Sequence, residues 1–410
     1  MSKRGHNILP NPVSLPSQPV NRRHFLNSKI KALTLLAALL CWISPGRADE
    51  RIRLQSEING KPVRLIFDTG ASDFILVESA ANRLGLKVRK SSANEKLGDP
   101  DAVLLGTSEE CSFLIGTNKA RAAFRVIRFP EEPDLDGLLG WGRMKKNIFL
   151  IDPRQNGIKI LKTVPEDAKT WMKFAIVSNQ HILSLEEPIK GRHKPVIALD
   201  TGSYLGVELS PTAWKEWKSA HSNQPSTLTG YYSPNLGLVI KEEAWADRLS
   251  LGPLELTDVP IMEADRADVK TSDSPYYHAT LGMAALHGME MVIDGKHHVV
   301  YLRKTNTPAP PYEHNRLGAV FVDDGSGNKD RIGYVIEGSP AYRAGIRNGD
   351  ILLKIDQIDV EKADVVNSRF NDPPGTKIEL TLKRGDSIYT KTVELQNILG
   401  PASSLPKSTK

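Results

Sequence analysis

The stretch Leu65-Ile66-Phe67-Asp68-Thr69-Gly70-Ala71-Ser72 has a near copy at Ile197-Ala198-Leu199-Asp200-Thr201-Gly202-Ser203-Tyr204. In each, an apolar run that reads as a strand delivers an ionisable aspartate into a turn marked by glycine. A second shared element follows downstream. Leu138-Leu139-Gly140 stands twelve residues before Asp152, and Thr280-Leu281-Gly282 stands twelve before Asp294, each leading into another apolar strand. The order strand, Asp-Thr-Gly, more strands, apolar–apolar–Gly, short helix, strand therefore occurs twice, offset by about 130 residues. Such a duplication calls for two equivalent β lobes with one acid each.

A lone aspartate titrates near pH 4 and is a poor base and a poor acid at once. Two carboxylates held about 3 Å apart cannot both ionise comfortably and share one proton. One can then act as base towards a bound water while the other acts as acid towards a carbonyl oxygen. The neighbouring residues suit that purpose. Gly70 and Gly202 let backbones approach where a Cβ would collide. Thr69 and Thr201 can offer hydroxyls to backbone groups across the lobe interface. The two apparent pKa values would belong to the pair rather than to either acid.

These motifs resemble those of the aspartic peptidases, specifically the pepsin/retropepsin-like group, over roughly residues 50–304. Short lobes and the phrase "ADRLSLGPLELTDVPIM" are closer to the bacterial retropepsin-like branch than to long pepsins. The resemblance implies a mainly β chain: two retropepsin-like β-barrel lobes forming a pseudo-dimeric acid protease fold. It implies Asp68 and Asp200 as the catalytic pair and Thr69 and Thr201 as the interlobe clasp of an aspartic-type endopeptidase. Protein or peptide substrates, a monomeric catalytic unit, no cofactor and no metal go with that reading. Members of the group cover the cleft with a hairpin flap. "KLGDPDAVLLG" in lobe one and "LTGYYSPNLGL" in lobe two are the candidates, with Tyr231 and Tyr232 at the second tip. The lobes differ after the glycine, Ala71 against Ser203. A hydroxyl there can stabilise an ionised carboxylate and a methyl cannot, which predicts a working pH less acidic than pepsin's.

A third unit lies beyond a Pro-rich connector. "NRLGAVFVDD" followed by Ser339-Pro340-Ala341, Ala344-Gly345-Ile346 and Gly349-Asp350-Ile351-Leu352 resembles an α+β PDZ domain. In that resemblance Leu317, Gly318, Ala319 and Val320 form the loop and strand whose backbone N–H groups accept a peptide's terminal carboxylate. Protein C-termini are the implied partners, and Arg316 stands where it could attract a carboxylate.

The remaining features set the organisation. The chain of 410 residues carries a net charge of +6. Residues 1–48 hold seven Lys and Arg and no Asp or Glu, leaving 47 basic against 48 acidic side chains in the rest. That balance removes the nucleic-acid reading. A positive edge at Lys29 and Lys31, an apolar run from Ala32 to Ile43, and small residues at Gly46 and Ala48 read as a signal peptide. The run is shorter than the roughly 20 residues a membrane span needs, so membrane attachment is expected only with the signal uncleaved. Arg22-Arg23 before Phe25-Leu26 resembles a twin-arginine signal. Export to the periplasm or the outside of a bacterium follows. Cys41 falls in the leader, so Cys111 alone remains and makes no internal disulfide.

The expected organisation is a signal peptide at 1–48, lobe one at 49–165, lobe two at 166–304, a Pro-rich linker at 305–314, the PDZ unit at 315–396 and a disordered tail at 397–410. His297 and His298 read as half-exposed structural residues of a strand. Two other functional readings stay open. One is an inactive peptide-binding scaffold using the cleft and the PDZ unit. The other, a PDZ-bearing serine protease, is disfavoured because no Gly-x-Ser-x-Gly occurs.

Overall fold

The computed structural model describes residues 51–90, 103–115, 118–128, 135–152, 157–178, 180–187, 195–233, 237–264, 277–306, 311–323, 331–360 and 369–401. The signal peptide expected at 1–48 lies outside these residues. The first lobe runs through β1 (Arg53–Ile58), β2 (Lys61–Asp68), β3 (Phe74–Val77), α1 (Glu78–Leu84), β4 (Val88–Lys90), β5 (Val103–Ser108), β6 (Cys111–Ile115), β7 (Asn118–Ala122), β8 (Arg125–Arg128), β9 (Gly137–Gly140), α2 (Trp141–Met144), β10 (Ile148–Asp152) and β11 (Gly157–Leu161). The second runs through β12 (Met172–Ala175), β13 (Ser184–Glu186), β14 (Val196–Leu199), β15 (Val207–Leu209), α3 (Pro211–Ala220), β16 (Ser226–Ser233), β17 (Gly237–Leu251), β18 (Leu254–Glu263), β19 (Tyr277–Leu281), α4 (Met283–Leu286), β20 (Met289–Asp294) and β21 (Val299–Lys304).

Local chemistry explains the first turn. β1 and β2 are joined by Asn59 and Gly60, whose φ angles of 51° and 76° make the two-residue hairpin that Asn-Gly favours. β2 then alternates exposed and buried residues before Leu65–Asp68 become buried on both faces. Helix α3 begins at Pro211 with the Ser210 side chain accepting from Ala213 N, and buries Trp214 and Trp217.

Each lobe is a sheet of one design. The lobe-one order is β4-β5-β8-β3-β9-β2-β1-β6-β7, and the lobe-two order is β16-β17-β18-β15-β19-β14-β13. Laid side by side, seven strands correspond one to one, and lobe one adds β6 and β7 beyond β1. The strand bearing each aspartate runs parallel to the apolar–apolar–Gly strand: β2 along β9, with Asp68 opposite Gly140, and β14 along β19, with Leu199 opposite Leu281. The lobes are sewn together by a third sheet, β11-β10-β20-β21-β12, whose central β10–β20 pair is antiparallel with Ile148 opposite Asp294. One apolar core serves both lobes, with Phe67 and Phe149 rings 4.9 Å apart beneath the site.

Residues 317–395 have a separate core. It is built by β22 (Ala319–Asp323), β23 (Arg331–Val335), α5 (Pro340–Arg343), β24 (Ile351–Ile355), β25 (Ile358–Asp359), β26 (Lys377–Arg384) and β27 (Ser387–Glu394). Burial pushes the Asp350 carboxyl up, but hydrogen bonds from Arg384, Tyr389 and the Arg347 N–H outweigh it and hold the group below its ordinary range. The same burial and the adjacent Asp350 push the Tyr389 phenol up to about 12.

Two expectations are corrected here, and the linker gains anchors at its far end. His297 and His298 lie in the turn between β20 and β21, where His297 Nδ1 pairs with Asp294 Oδ2 at 2.7 Å and His298 takes φ 58°. The tail is ordered at its start: the Ile398 and Leu399 N–H groups donate to His314 Nε2 at 3.2 Å each, and Leu399 is buried. The far end of the linker is likewise anchored. Tyr312 donates its hydroxyl to Glu243 on β17 and lies beside Trp245, and His314 is 1% exposed.

Candidate active site

β2 and β14 each end by turning an aspartate into the lobe interface. The two turns share one backbone design. Ala71 N donates to Asp68 O at 3.4 Å, and Ser203 N to Asp200 O at 3.3 Å. Gly70 N donates to Asp68 Oδ1 at 2.8 Å; in the other lobe Gly202 N and Ser203 N donate to Asp200 Oδ1 at 2.9 and 3.1 Å. Both carboxylates are thereby aimed by their own backbone.

The two threonines lock the turns to each other. Thr69 Oγ1 donates to Leu199 O at 2.7 Å and accepts from Thr201 N at 2.9 Å. Reciprocally, Thr201 Oγ1 donates to Phe67 O at 2.6 Å and accepts from Thr69 N at 3.1 Å. All four bonds are buried, and each satisfies a backbone group at the lobe interface. A further cross-lobe bond, which sequence reasoning did not foresee, runs from Leu183 N to Thr69 O at 2.9 Å.

The glycines measure how near the opposing acids come. A Cβ placed on Gly70 would lie 2.4 Å from Asp200 Cγ, and one on Gly202 would lie 2.4 Å from Asp68 Cγ. Either side chain would force the facing carboxylate away. The next shell is also glycine by necessity. A Cβ on Gly140 would strike Asp73 O at 2.4 Å, and one on Gly282 would strike Leu205 O at 2.4 Å. These are the third residues of the apolar–apolar–Gly strands, where Leu138, Leu139 and Leu281 are fully buried behind the turns. Thr280, half-buried, pairs with Ala198 and Glu208 on the neighbouring strands.

The electrostatics are those of a proton-sharing pair. Burial pushes Asp68 well above the usual carboxylate range, and the neighbouring Asp200 charge pushes it further. The backbone N–H groups of Gly70 and Ala71 and the charge of Arg51 pull the other way and do not prevail. Asp68 is 0% exposed and Asp200 is 4% exposed. Arg51 was invisible to sequence reasoning. It is one charge among many along the chain, and only the fold buries it within electrostatic reach of Asp68.

The other predicted residues belong to other elements. Tyr231 and Tyr232 belong to β16, paired with Val239 and Leu238 of β17; the residues at the tip, 234–236, lie outside the described set. Most of the lobe-one candidate flap, 96–102, also lies outside it. The strand order nonetheless relates the two: β16 and β17 hold in lobe two the place that β4 and β5 hold in lobe one. In the third unit Leu317 N and Gly318 N already donate to Asn315 Oδ1, at 2.9 and 3.1 Å. Arg316 donates to Asn397 Oδ1 and to the Asn371 and Asp372 carbonyls.

Comparison with known proteins agrees with this geometry. Residues 54–141, which contain Asp68 and the first apolar–apolar–Gly strand, match the family described as aspartyl protease. Residues 331–384 match the PDZ domain family. The chain carries a retropepsin-like aspartyl protease domain and a PDZ domain. The second lobe of the protease lies outside the matched stretch, and its kinship with the first rests on the strand order and the turn geometry above.

Two curated relatives match parts of the chain. DNA damage-inducible protein 1 of Saccharomyces cerevisiae is 27% identical over 106 residues, 25% of this chain and 24% of that protein. A Staphylococcus saprophyticus protein named "Probable CtpA-like serine protease" is 29% identical over 148 residues, 31% of this chain and 29% of that one. The chain thus spans less than a third of the length of these relatives. Among solved structures, the retroviral protease-like domain of Ddi1 from Leishmania major covers 28% of this chain and 96% of its own, at 22% identity and a TM-score of 0.24.

Proposed function

We propose that the protein is an exported aspartic endopeptidase in which Asp68 and Asp200 activate a water for attack on a peptide carbonyl, with the PDZ domain engaging protein C-termini. The reading rests chiefly on one observation: two threonine-clasped turns press each carboxylate against the other lobe's glycine. Asp68, whose carboxyl pKa is pushed up by burial and the neighbouring Asp200 charge, starts as the acid, and Asp200 starts as the base. Asp200 takes a proton from water as the water oxygen bonds to the carbonyl carbon, while Asp68 gives its proton to the carbonyl oxygen. In the collapse of that tetrahedral adduct, the C–N bond breaks and the proton now on Asp200 passes to the departing nitrogen. A hydroxyl proton returns to Asp68. No covalent enzyme intermediate forms and the starting protonation is restored.

The test is cleavage of an unfolded protein such as reduced casein. Asp68→Asn and Asp200→Asn should each abolish it, and a statine-type inhibitor such as pepstatin should bind the wild type and neither variant. Cleavage that survives either substitution overturns the dyad. Export is read from residues 1–48, and fusing that segment to a reporter that folds only outside the cytoplasm tests it.

A further inference from the structure

The PDZ carboxylate loop is already occupied, and by a residue that also holds the protease. Asn315 Oδ1 accepts from Leu317 N and Gly318 N, the N–H groups a terminal carboxylate would use. Its Nδ2 donates to Ala319 O at 2.7 Å and to Leu228 O on β16 at 3.0 Å. Thr227, also on β16 and fully buried, donates its hydroxyl to Asn315 O at 2.6 Å. Beside them Val320 packs on Gly230: a Cβ there would lie 3.7 Å from the valine Cγ1. Val320 and Val322 are 2% and 4% exposed, yet neither belongs to the PDZ core. One amide thus bridges the peptide-binding loop and the lobe-two hairpin that occupies the flap-equivalent edge of its sheet.

We propose that Asn315 is a latch: a peptide carboxylate entering the loop must displace its Oδ1, and the displaced side chain lets go of Leu228 and loosens the PDZ-facing edge of the β16–β17 hairpin. The chemistry is an exchange of acceptors. An ionised carboxylate is a stronger acceptor for the Leu317 and Gly318 N–H groups than a neutral amide oxygen, so a ligand can win them. Once turned aside, the amide cannot keep its Nδ2 on two carbonyls. The PDZ domain would then report a bound C-terminus to the protease through this hairpin. The inference rests on the reading of the PDZ loop as a carboxylate site.

The experiment uses the full chain and a panel of labelled hexapeptides ending in Val, Leu, Ile, Phe or Ala, each as free acid and as amide. Asn315→Ala should bind the best free acid about tenfold or more tighter than wild type, the equivalent of one or two hydrogen bonds no longer displaced. Hydrogen exchange in residues 226–244 should rise when wild type is saturated with that peptide, towards the level of unliganded Asn315→Ala. Asn315→Asp separates a latch from a merely structural residue. Its carboxylate holds the loop N–H groups more tightly but cannot donate to Leu228, so peptide binding should weaken while hairpin exchange rises. Acid-dependent binding that Asn315→Ala leaves equal or weaker, or a hairpin indifferent to peptide, overturns the latch and leaves the PDZ reading standing. Binding that ignores the terminal carboxylate in every variant overturns both.

Discussion

Lobe one and lobe two share seven strands in one order, yet only the centre of that order has stayed alike. Around the aspartates the two halves repeat one turn and one reciprocal set of threonine bonds. Towards the edges they part. Lobe one extends past β1 into β6 and β7, whereas lobe two lengthens its opposite edge into the β16–β17 hairpin and sets it against the PDZ domain. The difference shows where geometry is compulsory. A shared proton tolerates no displacement between its two acids, so the turns cannot diverge independently. A sheet edge answers only to its neighbour, so it can acquire a new one.

The sharpest way to break the equivalence is to remove the acids one at a time. Asp68→Asn and Asp200→Asn should each lower kcat/KM by at least about 10²–10⁴-fold, because acid and base are both required. A large loss from one and a small loss from the other would mean that one carboxylate works alone. The same variants carry a stability signature. A folded-state pKa raised above the unfolded value adds stability that is fully present below the unfolded pKa, near 4, and is lost as pH rises through the folded one. At neutral pH Asp68 is therefore a cost to folding. Asp68→Asn should melt higher than wild type at neutral pH, and the gap in Tm should close as the pH is lowered towards about 4.

The clasp offers the next test. Thr69→Val and Thr201→Val each strip a hydroxyl that serves as both donor and acceptor in a buried site, and each should cost about 2–4 kcal/mol in denaturant unfolding. Equivalent lobes predict similar costs. The double variant should also retain a measurable coupling, since the two hydroxyls brace one interface. Strictly additive costs would show that each turn is rigid without its partner.

How much of this was legible in the sequence follows from the range of each interaction. The turns were readable because their chemistry is local: Asp-Thr-Gly fixes a bend within four residues, and Asn59-Gly60 fixes a hairpin within two. Repetition then made the pairing of Asp68 with Asp200 inferable across 132 positions, something no single copy allows. Asp152 and Asp294 served as markers of the repeat, but nothing near either one announces that Ile148 faces Asp294 in a sheet between the lobes. Arg51 and the packed start of the tail were lost for the same reason, since their partners lie far along the chain. Asn315 left a faint local trace. Asparagine two residues before Leu-Gly commonly folds its side chain onto the backbone ahead of it, but that pattern alone gives no hint that its amide also reaches β16.

The smallest expected effect sharpens the comparison most, because it makes the lobes more alike rather than less. Ser203 carries a hydroxyl directly after Gly202 and accepts from Leu205 N at 3.2 Å, while Ala71 offers its lobe only a methyl. Ala71→Ser supplies the missing donor. A hydroxyl directed at ionised Asp68 favours the charged form, so the proton leaves at lower pH and the alkaline limb of the kcat profile should shift acidward, by about one pH unit or less. Ser203→Ala should act on the other partner in the opposite sense. It removes support for ionised Asp200 and moves the acidic limb up by a similar amount. Wild type should meanwhile show its optimum well above pepsin's acidic range, since Asp68 keeps its proton into higher pH. If neither limb moves, the residue after the glycine does not set the working pH, and the raised pKa of Asp68 must be assigned to burial and the Asp200 charge alone.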